Sequence, residues 1–465
     1  MRSSGAMKME LPAAALAVAE TVRSSGGRAL LVGGCVRDAL LGRKPGDFDF
    51  ECFGVSGEKL IAILGEKFEL DLVGASFGVI KLKHHDIDIS LPRRETKLGL
   101  GHRAFSVDSD PSLSLEEASA RRDFTVNAIY FDPLTGELLD PWNGCTDLER
   151  ATLRHVSIHF CEDPLRVLRG MQFAARFRLR PAQETVEICR TMDCEDLPRE
   201  RLFGEWAKML AKGELISAGL KFLRSTNWLR YYPELKRLVG CRQDPQWHPE
   251  GDVWNHTLQC LDAFAQRRAD EGEAENIIVG FAVLCHDFGK PATTRYDRVR
   301  KHIRSLGHDE AGVAPTLSFL RRLTCEERIL KEVPPLVRTH MRPFALWRNG
   351  CSDGAIRRLA AEIGRIDRLV RVAAADEGAG EGELPESCRW LLERAERLKI
   401  ADSVPSPLVM GRDLIARGMK PGPEFGKILK EMYEAQLDGA FSNRDDALEY
   451  LIKTQIPHHG KERQK

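Results

Sequence analysis

The stretch that most constrains the fold of this chain is LVGGCVRDALLGRKPGDFDF, residues 31–50. It begins with an apolar run that ends in two glycines, continues as a helix-like segment, and reaches an alternating strand through a proline–glycine turn. Because successive side chains of a strand face opposite ways, we expect Asp47 and Asp49 on one face and Phe48 and Phe50 on the other. The pattern predicts a sheet with an aromatic inner face and two neighbouring carboxylates on its other face.

These carboxylates indicate a metal site. Neighbouring carboxylates repel each other unless a cation lies between them, and hard oxygen ligands suit Mg²⁺, which commonly takes one or two carboxylates together with substrate phosphates. A second predicted strand, VIKLKHHDIDISL, carries Asp86 and Asp88 in the same alternation, so either residue can complete the site. Taken alone, a D-x-D pair next to a turn is more often simply solvated.

The glycine pair favours the metal interpretation. Gly33 and Gly34, between a strand and a helix, leave backbone N–H groups free to hold phosphate oxygens, and Arg37 adds positive charge one turn later. The spacing lacks the Gly-Lys-Ser/Thr of a P-loop. A phosphate cradle beside a Mg²⁺ site predicts nucleotide chemistry.

The remaining chain points to several domains, because 465 residues are too many for one core. Strands and helices mix up to about residue 150, whereas helical periodicity dominates from residue 160 onward. Residues 151–240 hold 16 basic and 11 acidic side chains in a chain of zero net charge, which suits contact with a polyanion. Twelve cysteines without a C-x-x-C pair, no apolar run of about 18 residues and no signal-peptide pattern predict a reduced, cytoplasmic protein that does not enter a membrane.

Five motifs, taken in order, resemble a known family. They are the opening stretch, IDISLPRRE, RRDFTVNA, DPWNGCTDLERATLRHV and EDPLRVLRGMQFAARF, and they span residues 28–210. In this order they resemble the class II tRNA nucleotidyltransferases, which are the CCA-adding enzymes, and the bacterial poly(A) polymerases. The resemblance implies an α+β fold: a small N-terminal nucleotidyltransferase head with a mixed sheet, followed by all-helical neck, body, HD and tail regions.

The resemblance also implies roles for the head residues. Asp47 and Asp49 are expected to hold two Mg²⁺ ions, with Asp88 preferred to Asp86 as the third catalytic carboxylate. One metal activates the RNA 3′-hydroxyl and the other stabilises the departing pyrophosphate. The expected nucleotide-binding residues are Gly33, Gly34, Arg37, Arg122, Asp123, Asn127, Asp163, Arg166 and Arg169.

Two of these groups are expected to select the substrate. The resemblance places Arg122, Asp123 and Asn127 near the ribose, although Asp123 in a helix cap is the structural alternative. Asp163 and Arg166 lie three residues apart at a helix start, where an acceptor beside a donor suits the amino-bearing bases C and A. This pair resembles the family's protein template, with Arg169 beside the triphosphate or base, while a proline-linked N-cap at Asp163 is the alternative.

The later helical region resembles the HD phosphohydrolase superfamily. His256, His286–Asp287 and Asp376 match its minimal metal set, and His308 and His340 lie where dinuclear members add ligands. A divalent metal there, Ni²⁺, Mn²⁺ or Mg²⁺, would activate water against cyclic phosphodiesters or phosphomonoesters. Any one of these histidines taken alone is more often a core residue.

The resulting division has five parts: an N-terminal extension (1–27), the head (28–150), a neck and body that bind nucleobase and RNA (151–245), the HD domain (246–380) and a helical tail (381–465). The predicted function is template-independent addition of CCA to tRNA 3′ ends from CTP and ATP, with a second, phosphohydrolase site. The expected partners are tRNA and these nucleotides, without a membrane or an obligatory protein partner.

Three alternatives stay open. An A-adding tRNA nucleotidyltransferase or a bacterial poly(A) polymerase would share the early motifs. An HD nucleotide hydrolase with an inactive RNA-binding N-terminal half leaves the intact Asp47–Asp49 pair unexplained. An RNA chaperone without catalysis would need only the basic block.

Overall fold

The computed structural model describes residues 9–72, 78–97, 105–194, 197–268, 272–378 and 382–455. The first eight residues of the predicted extension and the last ten of the predicted tail lie outside this part of the chain. The chain forms two compact units. The first comprises Met1–Met209 and Ala218–Tyr231, and the second comprises Leu210–Ser217 and Tyr232–Lys465. The five-part division stays a prediction.

Unit 1 carries a mixed sheet, and its strands are β1 (Arg28–Val32), β2 (Phe48–Phe53), β3 (Leu70–Asp71), β4 (Val79–Leu82), β5 (Ile87–Ser90), β6 (Arg93–Lys97), β7 (Phe105–Ser109), β8 (Tyr130–Phe131), β9 (Leu138–Leu139), β10 (Thr152–Leu153) and β11 (Arg180–Pro181). Seven of them form one sheet in the order β3-β4-β5-β2-β1-β8-β9. β2 and β5 run parallel, and the other neighbouring pairs of this sheet run antiparallel, which confirms the predicted mixed sheet. β6 pairs with β7, and β10 with β11, in two small separate sheets.

The helices of unit 1 include one that begins at the second glycine of the pair, where the sequence predicts a helix-like segment. They are α1 (Ala13–Ser24), α2 (Gly34–Leu40), α3 (Gly57–Gly65), α4 (Leu115–Ser119), α5 (Gly144–Glu149), α6 (Leu165–Phe177), α7 (Gln183–Arg190), α8 (Arg199–Lys212) and α9 (Ile216–Ser225), of which α8 and α9 also contribute residues to unit 2. Apolar residues of α1 and α3 pack with those of β1, β2 and β5 in one core. Since Phe50 and Ile89 point into this core, the residues that alternate with them project from the other face of the sheet.

The stretch VIKLKHHDIDISL is two strands and not one. His84 adopts a left-handed backbone conformation with φ of 64°, so β4 turns back into β5 as an antiparallel pair. This hairpin inserts β5 next to β2. The reversal brings the second acidic pair of the sequence beside the first.

Unit 2 is helical, as the periodicity predicts, apart from a hairpin of β12 (Arg295–Asp297) and β13 (His302–Arg304). Its helices are α10 (Pro233–Lys236), α11 (Val253–Gln266), α12 (Glu273–Cys285), α13 (Lys290–Thr293), α14 (His308–Ala311), α15 (Val313–Leu323), α16 (Glu327–Thr339), α17 (Arg342–Asn349), α18 (Asp353–Ile363), α19 (Ile366–Asp376), α20 (Glu386–Arg397), α21 (Gly411–Ile415), α22 (Pro423–Leu437) and α23 (Arg444–Gln455). Across the described residues, every helix is too short or too polar to span a bilayer.

Candidate active sites

The sheet of unit 1 aligns two aspartates side by side. Asp49 on β2 and Asp88 on β5 are partners in the parallel register, and Asp47 lies exposed directly before β2. Burial, together with the charges of Asp47 and Asp88, raises the pKa of Asp49 to about 6 in spite of Arg122 and Lys81. An oxygen-only donor set with excess negative charge fits a hard divalent cation such as Mg²⁺.

The surroundings distinguish Asp88 from Asp86. The Asp88 carboxylate lies 2.9 Å from Lys81 Nζ on the neighbouring strand, and its side chain is partly buried. Asp86 is exposed in the turn before β5, where its carbonyl accepts a hydrogen bond from the Phe48 N–H at 2.9 Å. Asp88 is therefore the better candidate for a carboxylate that acts beside Asp49.

The glycine turn faces these acids. Gly33 has a φ of +86°, which favours glycine, and it precedes the first residue of α2. A Cβ atom at Gly33 would lie 3.5 Å from Arg122 Nη1 and 3.7 Å from Asp49 Oδ2. The backbone of the turn thus lies close to both the Arg122 guanidinium and the Asp49 carboxylate, as a phosphate cradle beside a metal site requires.

A chain of polar contacts forms one wall of the site. The buried Arg37 donates from Nη1 to Asn127 Oδ1 at 2.6 Å and binds the Asp38 carboxylate at 2.9 and 2.7 Å. Asn127 donates in turn to Asp123 at 2.9 Å, and the other Asp123 oxygen accepts from Arg169 Nε at 2.7 Å. Although burial opposes ionisation, Arg169 and Asn127 hold the pKa of Asp123 below its usual range. Since every member is fixed by a neighbour, the wall is preorganised.

Arg122 is positioned by two residues that the sequence did not single out. Its Nη2 lies 3.6 Å from Glu51 Oε2, and the same carboxylate oxygen accepts from the Tyr130 hydroxyl at 2.6 Å. The Arg122 guanidinium also lies over the Tyr130 ring, 5.9 Å from its centroid. Glu51 continues the alternation of Asp47 and Asp49 and was recognisable on that ground.

Most of these groups line one cleft of about 340 Å³, but Asp88, Glu51 and Tyr130 are not among its lining residues. Nine of the twelve predicted catalytic and nucleotide-binding residues line it, and so do residues that the sequence did not reveal, namely Asp38, Gln172, Phe173, Arg176 and Lys208. The predicted residues in the cleft are Gly33, Gly34, Arg37, Asp47, Asp49, Arg122, Asp123, Asn127 and Arg169.

The predicted base-selecting residues line an adjoining cleft of about 290 Å³. Helix α6 begins at Leu165, one residue later than an N-cap at Asp163 implies, yet Asp163 Oδ1 still accepts from the Leu165 N–H at 3.1 Å. The other Asp163 oxygen is paired with Arg201 Nη2 at 2.8 Å. Arg166 donates from its two terminal nitrogens to backbone carbonyls, each at 2.6 Å. Asp163 and Arg166 are thus held by different partners, and both line the same cleft.

In unit 2 the structure brings all six predicted residues of the second site together. His256 lies on α11, His286 and Asp287 follow α12, His308 begins α14, His340 follows α16, and Asp376 ends α19. His256 Nε2 is 2.9 Å from Asp376 Oδ1 and 3.4 Å from His286 Nε2. His308 Nε2 is 3.2 Å from His340 Nε2 and 3.5 Å from Asp287 Oδ1.

Each of the four histidines is held in place through its Nδ1 atom. The Nδ1 atoms of His286, His308 and His340 lie 2.7, 2.8 and 2.6 Å from the backbone carbonyl three residues earlier. His256 Nδ1 lies 2.8 Å from Glu250, which the sequence did not single out. A histidine whose Nδ1–H is held by a carbonyl or carboxylate presents Nε2 as the free ligand atom, the usual arrangement around a bound metal.

The carboxylate of Asp287 indicates that the site suits a cation. The Asp287 side chain is 1% exposed, and among the described residues neither of its carboxylate oxygens accepts a hydrogen bond. Its charged partner is Lys290, whose Nζ lies 2.7 Å from Oδ2 as an ion pair. Burial also lowers the pKa of His340 to about 4, which keeps its imidazole neutral. The neutral imidazole of His340 and the buried, underbonded carboxylate of Asp287 fit a first-row divalent metal.

Comparison with known proteins identifies relatives over nearly the whole chain. The Poly A polymerase head domain family matches residues 29–154. The protein named Multifunctional CCA protein from Xanthomonas campestris pv. campestris is 36% identical over 434 residues, covering 89% of this chain and 99% of its own. The protein of the same name from Stenotrophomonas maltophilia is 35% identical over 411 residues, covering 86% and 96%.

Solved structures share the fold. A Bacillus stearothermophilus CCA-adding enzyme, solved in complex with CTP, superposes with a TM-score of 0.64 at 22% identity, covering 96% of this chain and 98% of that one. The Thermotoga maritima CCA-adding enzyme, solved with tRNA, gives 0.54 at 17% identity, covering 95% and 96%. At these identities the structures support the fold, whereas the curated relatives support the family.

Proposed function

Since this chain belongs to the CCA-adding enzyme family, we propose that it adds C, C and A to the 3′ ends of tRNA, from CTP and ATP and without a nucleic-acid template. The observation that carries the proposal is the register of Asp49 with Asp88 beside the glycine turn at Gly33. The name of the curated relatives, Multifunctional CCA protein, favours full CCA addition over A-only or poly(A) addition. In this proposal the head, residues 28–150, carries the transfer chemistry.

The residues of the head position the triphosphate and the RNA end. The glycine turn offers its backbone N–H groups to the phosphates, and Arg37 and Arg122 neutralise their charge. Asp47 and Asp49 would hold Mg²⁺, which would supply the positive charge that activates the 3′-hydroxyl and neutralises the leaving pyrophosphate. Asp88 is the third carboxylate next to Asp49. The rate enhancement comes from placing the 3′-oxygen in line with the α-phosphorus in a preorganised field.

Base selection is assigned to the adjoining cleft. The Asp163 carboxylate accepts from the exocyclic amine of C or A, and Arg166 donates to the ring nitrogen or carbonyl. U has no such amine, and G presents its donors and acceptors in the reverse order. The fixed partners of both side chains support this role, because a template has to keep its shape through successive additions.

The experiment uses tRNAs that end at the discriminator base, at C and at CC. We expect C and A to be added from CTP and ATP until each RNA ends in CCA. Sequencing of the products shows which nucleotides were added. Addition of A to CC ends alone would establish an A-adding enzyme, and long A tails would establish a poly(A) polymerase. Either result would overturn the proposal.

We propose a second activity for the histidine cluster of unit 2, in residues 246–380: metal-dependent hydrolysis of 2′,3′-cyclic phosphodiesters or phosphomonoesters. The observation that favours it is the convergence of inward-facing Nε2 atoms around the underbonded Asp287. A divalent metal bound there, Ni²⁺, Mn²⁺ or Mg²⁺, supplies an activated water. Lys290, 2.7 Å from Asp287 and on the wall of the adjoining pocket, is placed to hold a phosphate oxygen.

A crossed pair of variants separates the two activities. We expect Asp49→Asn to lose nucleotide addition and to retain hydrolysis of 2′,3′-cyclic AMP, and Asp287→Asn to show the opposite behaviour. If Asp49→Asn left nucleotide addition intact, the head site would be wrong. If the wild-type protein failed to hydrolyse cyclic or monoester substrates with each of the three metals, the second activity would be rejected.

A further inference from the structure

The histidine cluster of unit 2 contains one donor that lies outside the six predicted residues. Cys260 follows His256 by one turn of α11, so both side chains leave the same face of the helix. Its Sγ lies 3.4 Å from His256 Nε2, and the residue is 1% exposed. The thiol therefore faces the inward nitrogen of the cluster.

The donor–donor distances resemble the edges of a tetrahedral coordination shell. Zinc–nitrogen bonds of about 2.0–2.1 Å and zinc–sulfur bonds of about 2.3 Å give edges of roughly 3.3–3.6 Å. His256 Nε2 lies 3.4 Å from both His286 Nε2 and Cys260 Sγ. His286 Nε2 lies 3.3 Å from Asp376 Oδ1. The edge from His256 to Asp376 is shorter, 2.9 Å, and the four donor atoms all lie within 4.8 Å of one another.

The cluster divides into two chemically different groups. The group with Cys260 offers two nitrogens, one oxygen and one sulfur, whereas Asp287, His308 and His340 form a neighbouring group of oxygen and nitrogen donors. Asp287 adjoins both groups, with its Oδ2 3.3 Å from His286 Nε2 and its Oδ1 3.5 Å from His308 Nε2. Its buried and underbonded carboxylate is an independent sign that a cation belongs between them.

We propose that Cys260 is a thiolate ligand of this site, and that its donor group binds a thiophilic divalent cation such as Zn²⁺ in preference to Mg²⁺. Thiolates select zinc-like ions, whereas Mg²⁺ requires oxygen donors in octahedral geometry. The thiol proton passes to solvent when the metal binds. The inference rests on the proposed second site, but it concerns the metal that the site holds and not the reaction.

The test uses the full chain, stripped of metal with a chelator and titrated with Co²⁺ alone. We expect a sulfur-to-cobalt charge-transfer band in the near ultraviolet, and we expect Cys260→Ser to lose this band while its circular dichroism stays that of the wild type. Cys285→Ala is the matched control, because Cys285 is equally buried and precedes His286 but belongs to none of the donor groups, so the band should remain. Cys260→Ser should also weaken Zn²⁺ binding by at least about tenfold, since even outer partners of a ligand contribute that much.

Three results would overturn the proposal: folded wild-type protein that binds Co²⁺ without the band, a band that survives in Cys260→Ser, and the absence of Co²⁺ binding. These readouts are separate from the activity. Hydrolysis without the band would reject the thiolate and leave the second activity standing. The band without hydrolysis would support the thiolate ligand and reject the second activity.

Discussion

Asp49 and Asp88 are register partners on the parallel strands β2 and β5, so their side chains leave the sheet on the same face. They lie 39 positions apart in the chain, and only the hairpin at His84 makes them neighbours. The pairing places a third carboxylate beside the D-x-D pair.

The first prediction concerns the third carboxylate. Asp88→Asn should lower nucleotide addition by at least about a hundredfold, because several kcal/mol of charge stabilisation disappear from the transition state. The rate of CTP incorporation into tRNA that lacks CCA measures it. Asp86→Asn is the matched control and should retain the wild-type rate to within a few-fold. Equal losses in the two variants would remove the distinction between these residues.

The second prediction concerns the glycine turn. Gly33→Ala forces a Cβ into a backbone with φ of +86° and should lower the free energy of unfolding by about 1–2 kcal/mol, together with a loss of nucleotide addition. Gly34→Ala, at the first helical position of α2, should leave stability unchanged or slightly increased. Urea denaturation compares the two. A stable Gly33→Ala variant would show that the turn tolerates a side chain.

The third prediction concerns base selection. Asp163→Ala should reduce the preference for CTP and ATP over UTP and GTP by about 1–3 kcal/mol, roughly fivefold to 150-fold, because the acceptor for the exocyclic amine is lost. Single-nucleotide incorporation with each triphosphate in turn gives the ratios. A uniform loss with all four nucleotides would instead mean that Asp163 acts only through its structural contacts with the Leu165 N–H and Arg201.

The fourth prediction concerns metal binding in unit 2. A divalent metal present at a hundred times its dissociation constant should add about 2.7 kcal/mol to the free energy of unfolding, since it binds only the folded cluster. Calorimetry with and without metal should show a higher melting temperature, which a chelator reverses. His340→Ala should diminish the shift, whereas His159→Ala, a partly exposed histidine of unit 1, should preserve it. An identical shift in both variants would locate the metal elsewhere.

The fifth prediction concerns the acid stability of the second site. Glu275 on α12 accepts from Arg368 on α19 at 2.6 and 3.0 Å and also contacts Arg328, so it joins the helices that deliver His286 and Asp376. Burial opposes ionisation of Glu275, but the arginines hold its pKa below the usual range. The ionised Glu275 therefore contributes its full stabilisation at pH values above the unfolded-state pKa of about 4.3. This stabilisation is lost as the pH falls through the lower, folded-state pKa.

Glu275→Gln should accordingly lower the free energy of unfolding by roughly 1–3 kcal/mol at neutral pH, because the buried Arg368 guanidinium loses one of its two carboxylate partners and keeps only Glu332. The difference from wild type should shrink as the pH falls below about 4. Thermal unfolding between pH 3 and pH 7 measures both effects. The matched control is Glu327→Gln, which removes an exposed pair with Lys331 and should cost less than about 1 kcal/mol at every pH. A pH-independent loss would mean that Glu275 acts through packing.

Relationships between residues close in the chain were readable from the sequence. The strand–glycine–helix opening and the alternation of Asp47 with Phe48 follow from backbone periodicity, which acts over a few residues. The ordered motifs indicated the family and the mixed-sheet head, and both are confirmed. The one strand assignment that failed, VIKLKHHDIDISL, did so because alternation cannot reveal a left-handed residue such as His84 that reverses the chain.

Contacts between distant residues were decided by the tertiary structure. Packing paired Asp49 with Asp88, gave Asp163 the partner Arg201, and placed Glu51 and Tyr130 behind Arg122. It also brought His256, with Cys260 one turn later on the same helix, against Asp376, which lies 120 positions after His256. The sequence specifies the chemical types of the donors. Their distances depend on how helices and strands pack, and a coordination shell is defined by those distances.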